Sequence, residues 1–498
     1  MRGHHNIMYS NKIINIFLII NLVVFTAGYI IGFDKSFWID EVVSINYGLN
    51  IPSLNLKEVF TQDIHSPFHY YLLFLAKNIL GIISESENFN LYFLRLTNIL
   101  GFIPIYYSYV LIKRNEHKLN LNISIFFLLL ISSNYFFHYV LDLRMYFLLL
   151  GFSLLINVIN LINTVENENK IAFLVSSILI SVLHIYGLAI SMSILVFRFI
   201  KNSFLKDKRK LKVNLTLVVL LLIVFLIFYL PSILNDANKS NIGWIKHNLW
   251  YYRVFIEYTI STLVLIFAAI ILLSWNYKKI IFKSESINNF FKSNFFYETV
   301  ALASPAIILM IVVLAISFLF FPIVHFRSLI VIFPNLVLYA SILSAFLINS
   351  KKHKVFFTFF LIFLTFVNSN YYFKNMIYTH ENIEWVINKT FTKNCKNVPV
   401  YFNDNKKGNL LPLLNDIVLL YSKNNRPILL MSELNINEYE KSLIINKNCK
   451  IHFFTFHSRN FEKNIDYLDK KNLKLKIIYA PSVKVKNLSK AGAIALSN

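Results

Sequence analysis

The stretch IINIFLIINLVVFTAGYIIG, residues 13–32, is closely followed by Phe37-Trp38-Ile39-Asp40-Glu41. About 20 apolar residues in a helix are enough to cross the roughly 30 Å hydrocarbon core of a bilayer. The stretch therefore predicts a membrane-spanning helix, and Asp40 and Glu41 lie just beyond its far end, at the membrane surface. Two adjacent carboxylates at that depth need a structural or chemical reason.

The composition predicts a polytopic membrane protein. Of the 498 residues, 56% are hydrophobic and 16% aromatic, with a mean hydropathy of +0.55, which is too apolar for a soluble chain of this length. We interpret 68–83 as an interfacial helix. The predicted spans number eleven, at 13–32, 92–112, 121–138, 145–163, 171–184, 187–200, 213–231, 253–274, 299–321, 327–348 and 354–371.

The charge distribution predicts the orientation. The net charge of +23 does not indicate nucleic-acid binding, because Lys and Arg cluster between spans. Segments on the side of the N-terminus carry 19 Lys and Arg residues, and the opposite loops carry 8. By the positive-inside rule the N-terminus is cytoplasmic. Asp40, Glu41 and the C-terminal tail are then extracytoplasmic, and the first apolar stretch, which has no small-residue cleavage site, remains as an anchor.

The chain divides into a transmembrane domain, 1–371, with an outer loop at 33–91, and a C-terminal extracytoplasmic domain, 372–498. Short β-rich runs at Val398–Asn403, Pro427–Ser432, Ile451–His457 and Leu475–Ala480 alternate there with helical segments. This alternation predicts a small α/β domain with a mainly parallel sheet. Both cysteines, Cys395 and Cys449, fall in this domain. A disulfide is expected outside the cytoplasm, with two free buried thiols as the alternative.

Further motifs share the predicted outer face with Asp40 and Glu41. Each is short, and together they collect polar and cationic residues at the ends of apolar helices. They are His65-Ser66-Pro67 followed by Phe68–Leu73, Arg95–Gly101, Asp142–Tyr146, His184–Gly187 and Arg327–Leu329.

In this order the motifs resemble the GT-C glycosyltransferases that use polyprenyl-phosphate sugars, the family of dolichyl-phosphate-mannose protein mannosyltransferases and bacterial aminoarabinose transferases. Ser66 replaces a family proline, Thr97-Asn98 replaces Pro-Ser, and Asp142 stands where Glu is usual. The resemblance covers about residues 13–350. It implies a GT-C fold of about eleven transmembrane helices with an extracytoplasmic α/β domain.

The chemistry of sugar transfer suggests a role for each motif. Asp40 is the candidate base that accepts the proton of the attacking hydroxyl, and Glu41 orients its neighbours. Arg95, Arg144 and Arg327 would bind the donor phosphate, as guanidinium groups match phosphate geometry. The candidate substrate-binding residues are His65, Asp142, Tyr146 and His184.

Other readings remain open. The sequence indicates no particular cofactor, and a divalent metal, if the enzyme uses one, would be held by Asp40, Glu41 and Asp142. Structural explanations are a helix cap at Asp40 and Glu41, a turn at His184, and arginines extending to the lipid headgroups.

The function predicted is that of an inverting glycosyltransferase of the cytoplasmic (inner) membrane. It would take a sugar from a polyprenyl-phosphate donor and pass it to a lipid-linked, glycan or protein acceptor, with membrane lipids as further partners. Alternatives are a lipid-linked sugar transporter or flippase, a polysaccharide ligase or polymerase, and a non-catalytic scaffold of envelope glycan assembly. A transporter would place charge at the midplane of broken helices, whereas here charge collects at one face.

Overall fold

A computed structural model represents the protein. It describes residues 2–33, 37, 39–51, 56–61, 66–84, 91–115, 119, 121, 123–131, 133–165, 170–204, 206, 208–234, 294–319, 327–347, 359, 363, 366–367, 383–396, 398–402, 411–422, 424, 426–430, 449, 451–455, 476–479 and 494–497.

The chain forms two compact units. The first contains Met1–Tyr29 and Gly48–Ser369, and the second contains Ile30–Tyr47 together with Asn370–Asn498. The domain boundary after residue 371 stays a prediction. The second unit also includes the segment that carries Asp40 and Glu41.

The first unit is helical. Its α-helices, two of which extend into the second unit, are α1 Arg2–Phe33, α2 Ile39–Asn50, α3 Leu56–Thr61, α4 Phe68–Ser84, α5 Phe102–Arg114, α6 Ile123–Ile131, α7 Asn134–Leu141, α8 Tyr146–Val165, α9 Lys170–Leu183, α10 Ile185–Phe204, α11 Lys208–Phe228, α12 Leu230–Leu234, α13 Asn294–Leu319 and α14 Phe333–Leu347. Two 3₁₀ helices, η1 Leu91–Gly101 and η2 Ser328–Val331, precede α5 and α14.

Within the described residues, six helices are long and apolar enough to cross a membrane. In addition, α6 and α7 form a pair bent by 57°, and two shorter apolar helices are Lys170–Leu183, which is α9, and Leu329–Ile342, which includes parts of η2 and α14. These nine elements overlap nine of the eleven predicted spans, and six of them, or seven with the bent pair, are long enough to cross a membrane. The span at 253–274 lies outside the described residues, and the span at 354–371 lies almost wholly outside them. The predicted interfacial helix at 68–83 is α4, which is not among the candidate spans.

Helix α8 is the centre of the first unit and is buried along most of its length. Its close contact with η1 and α5 depends on two glycines. A Cβ at Gly101 would meet the Phe147 ring at 2.5 Å, and a Cβ at Gly151 would meet the Gly101 carbonyl at 2.5 Å. Because any larger side chain would separate these helices, both glycines allow the site-bearing elements to pack directly on α8.

Helices α9 and α10 form a tight hairpin. The sequence predicts a turn over His184–Gly187, but the break is limited to His184, and α10 already begins at Ile185. A Cβ at Gly187 would clash with the Ile180 carbonyl oxygen. The absence of a side chain at Gly187 therefore allows the two helices to meet within one residue. The Tyr229 hydroxyl donates to the Ser181 carbonyl at 2.6 Å and ties the end of α11 to this hairpin.

The second unit contains a five-stranded sheet. Its elements are α15 Ile383–Thr390, η3 Lys393–Cys395, β1 Val400–Phe402, α16 Leu411–Tyr421, β2 Ile428–Leu430, β3 Phe453–Thr455, β4 Lys476–Tyr479 and β5 Ile494–Ser497. The strand order is β2-β1-β3-β5-β4. The pairs β1–β2 and β1–β3 are parallel, whereas β5 runs antiparallel to β3 and β4. The sheet is therefore mixed, since β5, a strand that the sequence does not predict, inserts between β3 and β4.

The second unit is held together by a disulfide and a buried arginine. Cys395 and Cys449 form a disulfide with a Cα–Cα distance of 5.3 Å, within the limit of about 7 Å for such a pair. The Arg426 guanidinium donates to the carbonyls of Val398 at 2.7 Å, Thr390 at 2.7 Å and Pro399 at 3.1 Å. Three charge-assisted bonds from one side chain join β2, α15 and the start of β1.

Candidate active site

Asp40 and Glu41 lie in the first turn of α2, where a helix stabilises negative side chains. Their surroundings differ. Asp40 is partly exposed, whereas Glu41 is only 3% exposed, and Val42, Ser44 and Ile45 are also buried. The Ser44 hydroxyl donates to the Asp40 carbonyl at 3.0 Å. Of the two carboxylates, Asp40 is thus the one that a substrate can reach, and Glu41 is built into the packing of α2.

The peptide that precedes α2 is held within the second unit. The Phe37 amide donates to the Tyr421 hydroxyl at 2.6 Å, and this hydroxyl also approaches the Phe37 carbonyl at 3.4 Å. Phe37 is buried. One phenol group therefore bonds both polar groups of a residue that lies three positions before Asp40.

Arg95 lies on η1, an unusually long 3₁₀ helix of 11 residues. A 3₁₀ helix has three residues per turn, so Arg95, Asn98 and Gly101 lie in one line along it. All three are buried, and Arg95 is only 1% exposed. Its guanidinium carbon lies 5.5 Å from the centroid of the Tyr92 ring. The line faces the loop between α7 and α8 and the beginning of α8.

Asn98 connects this line to the loop. Its side-chain amide donates to the Val140 carbonyl at 2.9 Å and to the Asp142 carbonyl at 2.9 Å. The last carbonyls of a helix lack partners within the helix. Asn98, which belongs to a different element, supplies donors to the end of α7. Its two bonds therefore hold the backbone at the start of the Asp142–Tyr146 loop against η1, the helix that carries Arg95.

The Asp142–Tyr146 loop is short and buried. The Arg144 amide donates to the Asp142 carbonyl at 2.7 Å, which makes a tight turn. The exposed fractions of the Asp142 and Arg144 side chains are 7% and 5%. The Arg144 guanidinium carbon lies 5.9 Å from the centroid of the Tyr146 ring. An acidic and a cationic side chain are therefore fixed within one turn at the start of α8.

Tyr146 links this loop to His184. Its ring centroid lies 6.0 Å from that of His184. The Tyr186 amide donates to His184 Nδ1 at 3.1 Å. A neutral imidazole that accepts at Nδ1 carries its proton on Nε2, so His184 can present Nε2–H as a donor. The residue makes the turn, as predicted, and its ring also packs beside the Arg144 loop through Tyr146.

Arg327 is half-buried and directly precedes η2. The η2 segment packs against α8 and α10. The Ser153 hydroxyl of α8 donates to the Val331 carbonyl at 2.5 Å, and the Asn335 amide donates to the Leu302 carbonyl at 3.0 Å. These two bonds hold η2 and the start of α14 between α8 and α13, and thereby fix the backbone next to Arg327.

The predicted site residue His65, like Trp38, lies outside the described residues. No group of three or more His, Cys, Asp or Glu side chains suited to a metal occurs in the described part of the chain. Three residues that support the site, Asn98, Ser153 and Tyr421, are not predicted from the sequence. The sequence does contain an indication for Asn98: the family that the chain resembles has Ser at this position, and Asn98 lies three residues after Arg95.

These features define a class: a polytopic membrane protein with buried arginines at the ends of apolar helices and a mixed α/β domain. No protein-family model matches the sequence, and no curated protein matches it. Among solved structures, the chain is similar to ArnT from Cupriavidus metallidurans bound to undecaprenyl phosphate. The TM-score is 0.53 at 12% identity, over 96% of this chain and 97% of that one. The apo form of ArnT gives a TM-score of 0.50 at 12% identity, with 98% of each chain covered. The protein therefore has the GT-C fold that the motifs predict.

Proposed function

We propose that the protein is an inverting membrane glycosyltransferase that uses a polyprenyl-phosphate sugar as donor. The acceptor is the hydroxyl of a lipid-linked, glycan or protein substrate on the outer face of the cytoplasmic membrane. The undecaprenyl phosphate bound to ArnT supports an isoprenoid phosphate as the lipid carrier.

The observation that carries the proposal is the pair of buried arginines, Arg95 and Arg144, on elements that Asn98 joins. In a low dielectric, the attraction between a guanidinium and a phosphate is much stronger than in water. A cation buried in a membrane protein is costly and usually has a functional partner. A lipid phosphate at the membrane surface has the charge and geometry for that partner, and Arg327 would add a third contact.

The reaction transfers one glycosyl group. The acceptor oxygen attacks the anomeric carbon in line, and the bond between that carbon and the phosphate oxygen breaks with both electrons leaving on the phosphate. The hydroxyl proton passes to the Asp40 carboxylate, and the configuration at the anomeric carbon is inverted. The arginines stabilise the negative charge that grows on the departing polyprenyl phosphate.

The other residues would orient the substrates. His184 can donate through Nε2–H, Tyr146 would pack between that ring and Arg144, and Glu41 would keep α2 in place. Asp142 and His65 complete the proposed set.

Asp40→Asn tests the base directly. The amide keeps the size of the side chain but cannot accept the proton, so single-turnover transfer from a labelled polyprenyl-phosphate sugar should fall about a hundredfold or more. The variant should remain folded, because loss of one negative charge from the first turn of α2 costs only about 0.3 to 1 kcal/mol. Glu41→Gln is the matched control and should cost less. Transfer at the wild-type rate by Asp40→Asn would refute the role and favour a ligase or polymerase that needs no carboxylate base.

The orientation rests on the charge asymmetry of the loops. Labelling sites at positions 206, 280 and 352 should be cytoplasmic, and sites at 50, 240 and 420 should be extracytoplasmic. Substituted-cysteine labelling with a membrane-impermeant reagent checks this in intact cells. An extracytoplasmic label at 206 would contradict the proposed side for the reaction.

A further inference from the structure

The proposed reaction uses no side chain of the C-terminal domain, yet one side chain of this domain bonds the segment that carries Asp40. Tyr421 is the last residue of α16, and its hydroxyl bonds both the amide and the carbonyl of Phe37. The two residues are 384 positions apart in sequence. We propose that Tyr421 is a positioning residue for the reaction, and that the C-terminal domain is the rigid support that holds the catalytic carboxylate in place. This inference rests on the proposed role of Asp40.

The first step of the argument is that Tyr421 is itself firmly held. The Ser422 amide donates to the Val418 carbonyl at 2.8 Å, which ends α16. The Ser422 hydroxyl and the Asn424 side-chain amide both donate to the Phe391 carbonyl, at 3.3 and 3.1 Å. Ser422 and Asn424, one and three residues after Tyr421, are thus fixed to the residue that follows α15, and the phenol group has little freedom to move.

The second step connects the region around Phe391 to the sheet. Arg426 bonds three carbonyls of the segment between α15 and β1, and Phe391 packs edge to face on Phe454 of β3 at 6.0 Å. The disulfide between Cys395 and Cys449 closes the same region. The support for Tyr421 therefore consists of the sheet, a buried guanidinium and a covalent bond.

The third step is the effect on Asp40. Only one residue separates Phe37 from Ile39–Asn50, so the Tyr421 bonds fix the position at which α2 begins. Asp40 is partly exposed, whereas Glu41, Val42, Ser44 and Ile45 are buried. Burial of one face of α2 sets its rotation, and Tyr421 sets its start. A general base must be held within a few tenths of an ångström of its proton for efficient transfer.

Tyr421→Phe removes one oxygen and keeps the ring. In the full-length protein we expect faster amide exchange by mass spectrometry in peptides covering residues 37–47, and a fall in single-turnover transfer of about tenfold. The dissociation constant for undecaprenyl phosphate should be unchanged, because Tyr421 acts on the base rather than on the phosphate. A loss of turnover without a loss of donor affinity is a result that general destabilisation does not produce.

Tyr229→Phe is the matched control. It also removes one phenol group that bonds a backbone carbonyl at 2.6 Å, in the first unit. This variant should lower thermal stability at least as much, because Tyr229 is more deeply buried than Tyr421. It should leave exchange at 37–47 unchanged.

Three outcomes decide the inference. Exchange at 37–47 that is the same in Tyr421→Phe and wild type overturns it, as does faster exchange with undiminished transfer. Equal losses of transfer and stability in both tyrosine variants would also overturn it. If the wild-type protein transfers no sugar from any polyprenyl-phosphate donor, the proposed function is refuted. The proposed effect of Tyr421 on catalysis is then refuted as well.

Discussion

Asn98→Ala is the substitution that most directly tests how the arginine site is built. The side chain contributes two buried bonds of 2.9 Å to the carbonyls of Val140 and Asp142. Each such bond contributes about 1 kcal/mol, and a buried carbonyl left without its donor costs more. We expect the loop from Asp142 to Tyr146 to lose about 3 kcal/mol of local stability, which is roughly a hundredfold in its opening equilibrium.

Amide hydrogen exchange measures that opening. The reporter is the Arg144 amide, which is bonded to the Asp142 carbonyl at 2.7 Å and should exchange about a hundredfold faster in Asn98→Ala. Donor affinity should weaken in parallel, because Arg144 loses its fixed position. Asn160→Ala is the control, since Asn160 is also buried and donates one amide bond, to Ala301 at 3.1 Å, far along α8 from the loop. Equal exchange at Arg144 in the two variants would refute the reasoning.

The remaining predictions concern the cations and one histidine. Arg144→Ala and Arg327→Ala should impair donor use more than the Lys variants, which keep the charge but lose the bidentate fork; unchanged donor binding in both Ala variants would remove them from the site. Burial, with a smaller effect of the Arg426 charge, lowers the pKa of His452 from 6.5 to about 4, although the bond to the Cys449 carbonyl raises it. The folded state thus keeps His452 neutral, and stability is full above pH 6.5 and falls as the pH drops towards 4, by about 1 to 3 kcal/mol. Thermal unfolding measured from pH 7.5 to 4 should show this decline in the wild type and a smaller one in His452→Gln. An equal loss of stability in the two proteins would contradict the role of His452.

Much of the architecture follows from local patterns. Apolar length alone predicts the spans, because each must satisfy its own backbone in lipid. The four predicted strands of the C-terminal domain appear as β1 to β4, because each is a short β-rich run between polar segments. The strand at Ile494–Ser497 escapes prediction, since four residues near a chain end carry too little pattern to distinguish a strand. Its antiparallel insertion is also what makes the sheet mixed.

The supporting residues of the site could not be predicted in the same way. In an α-helix over 92–112, the side chains of Arg95 and Asn98 would point about 60° apart around the helix axis. Only the 3₁₀ geometry places both residues in line with Gly101. The bond between Tyr421 and Phe37 joins positions separated by 384 residues, and no periodicity carries information over that distance. In the sequence, Ser153 is an ordinary small residue within a span. Its role depends on the packing of η2 on α8, which the sequence does not show.

The two kinds of site residue have separate supports, and this separation has a functional consequence. Arg144 begins α8, Arg95 is tied to the Arg144 loop by Asn98, and the segment after Arg327 is bonded to Ser153 of α8. All three proposed phosphate ligands thus depend on one buried helix in the first unit. Asp40 depends on Phe37, Tyr421 and the sheet of the second unit. Since the residues proposed for donor binding and the residue proposed for proton transfer rely on different supports, damage near α8 should appear mainly in donor affinity, whereas damage near Tyr421 should appear mainly in turnover.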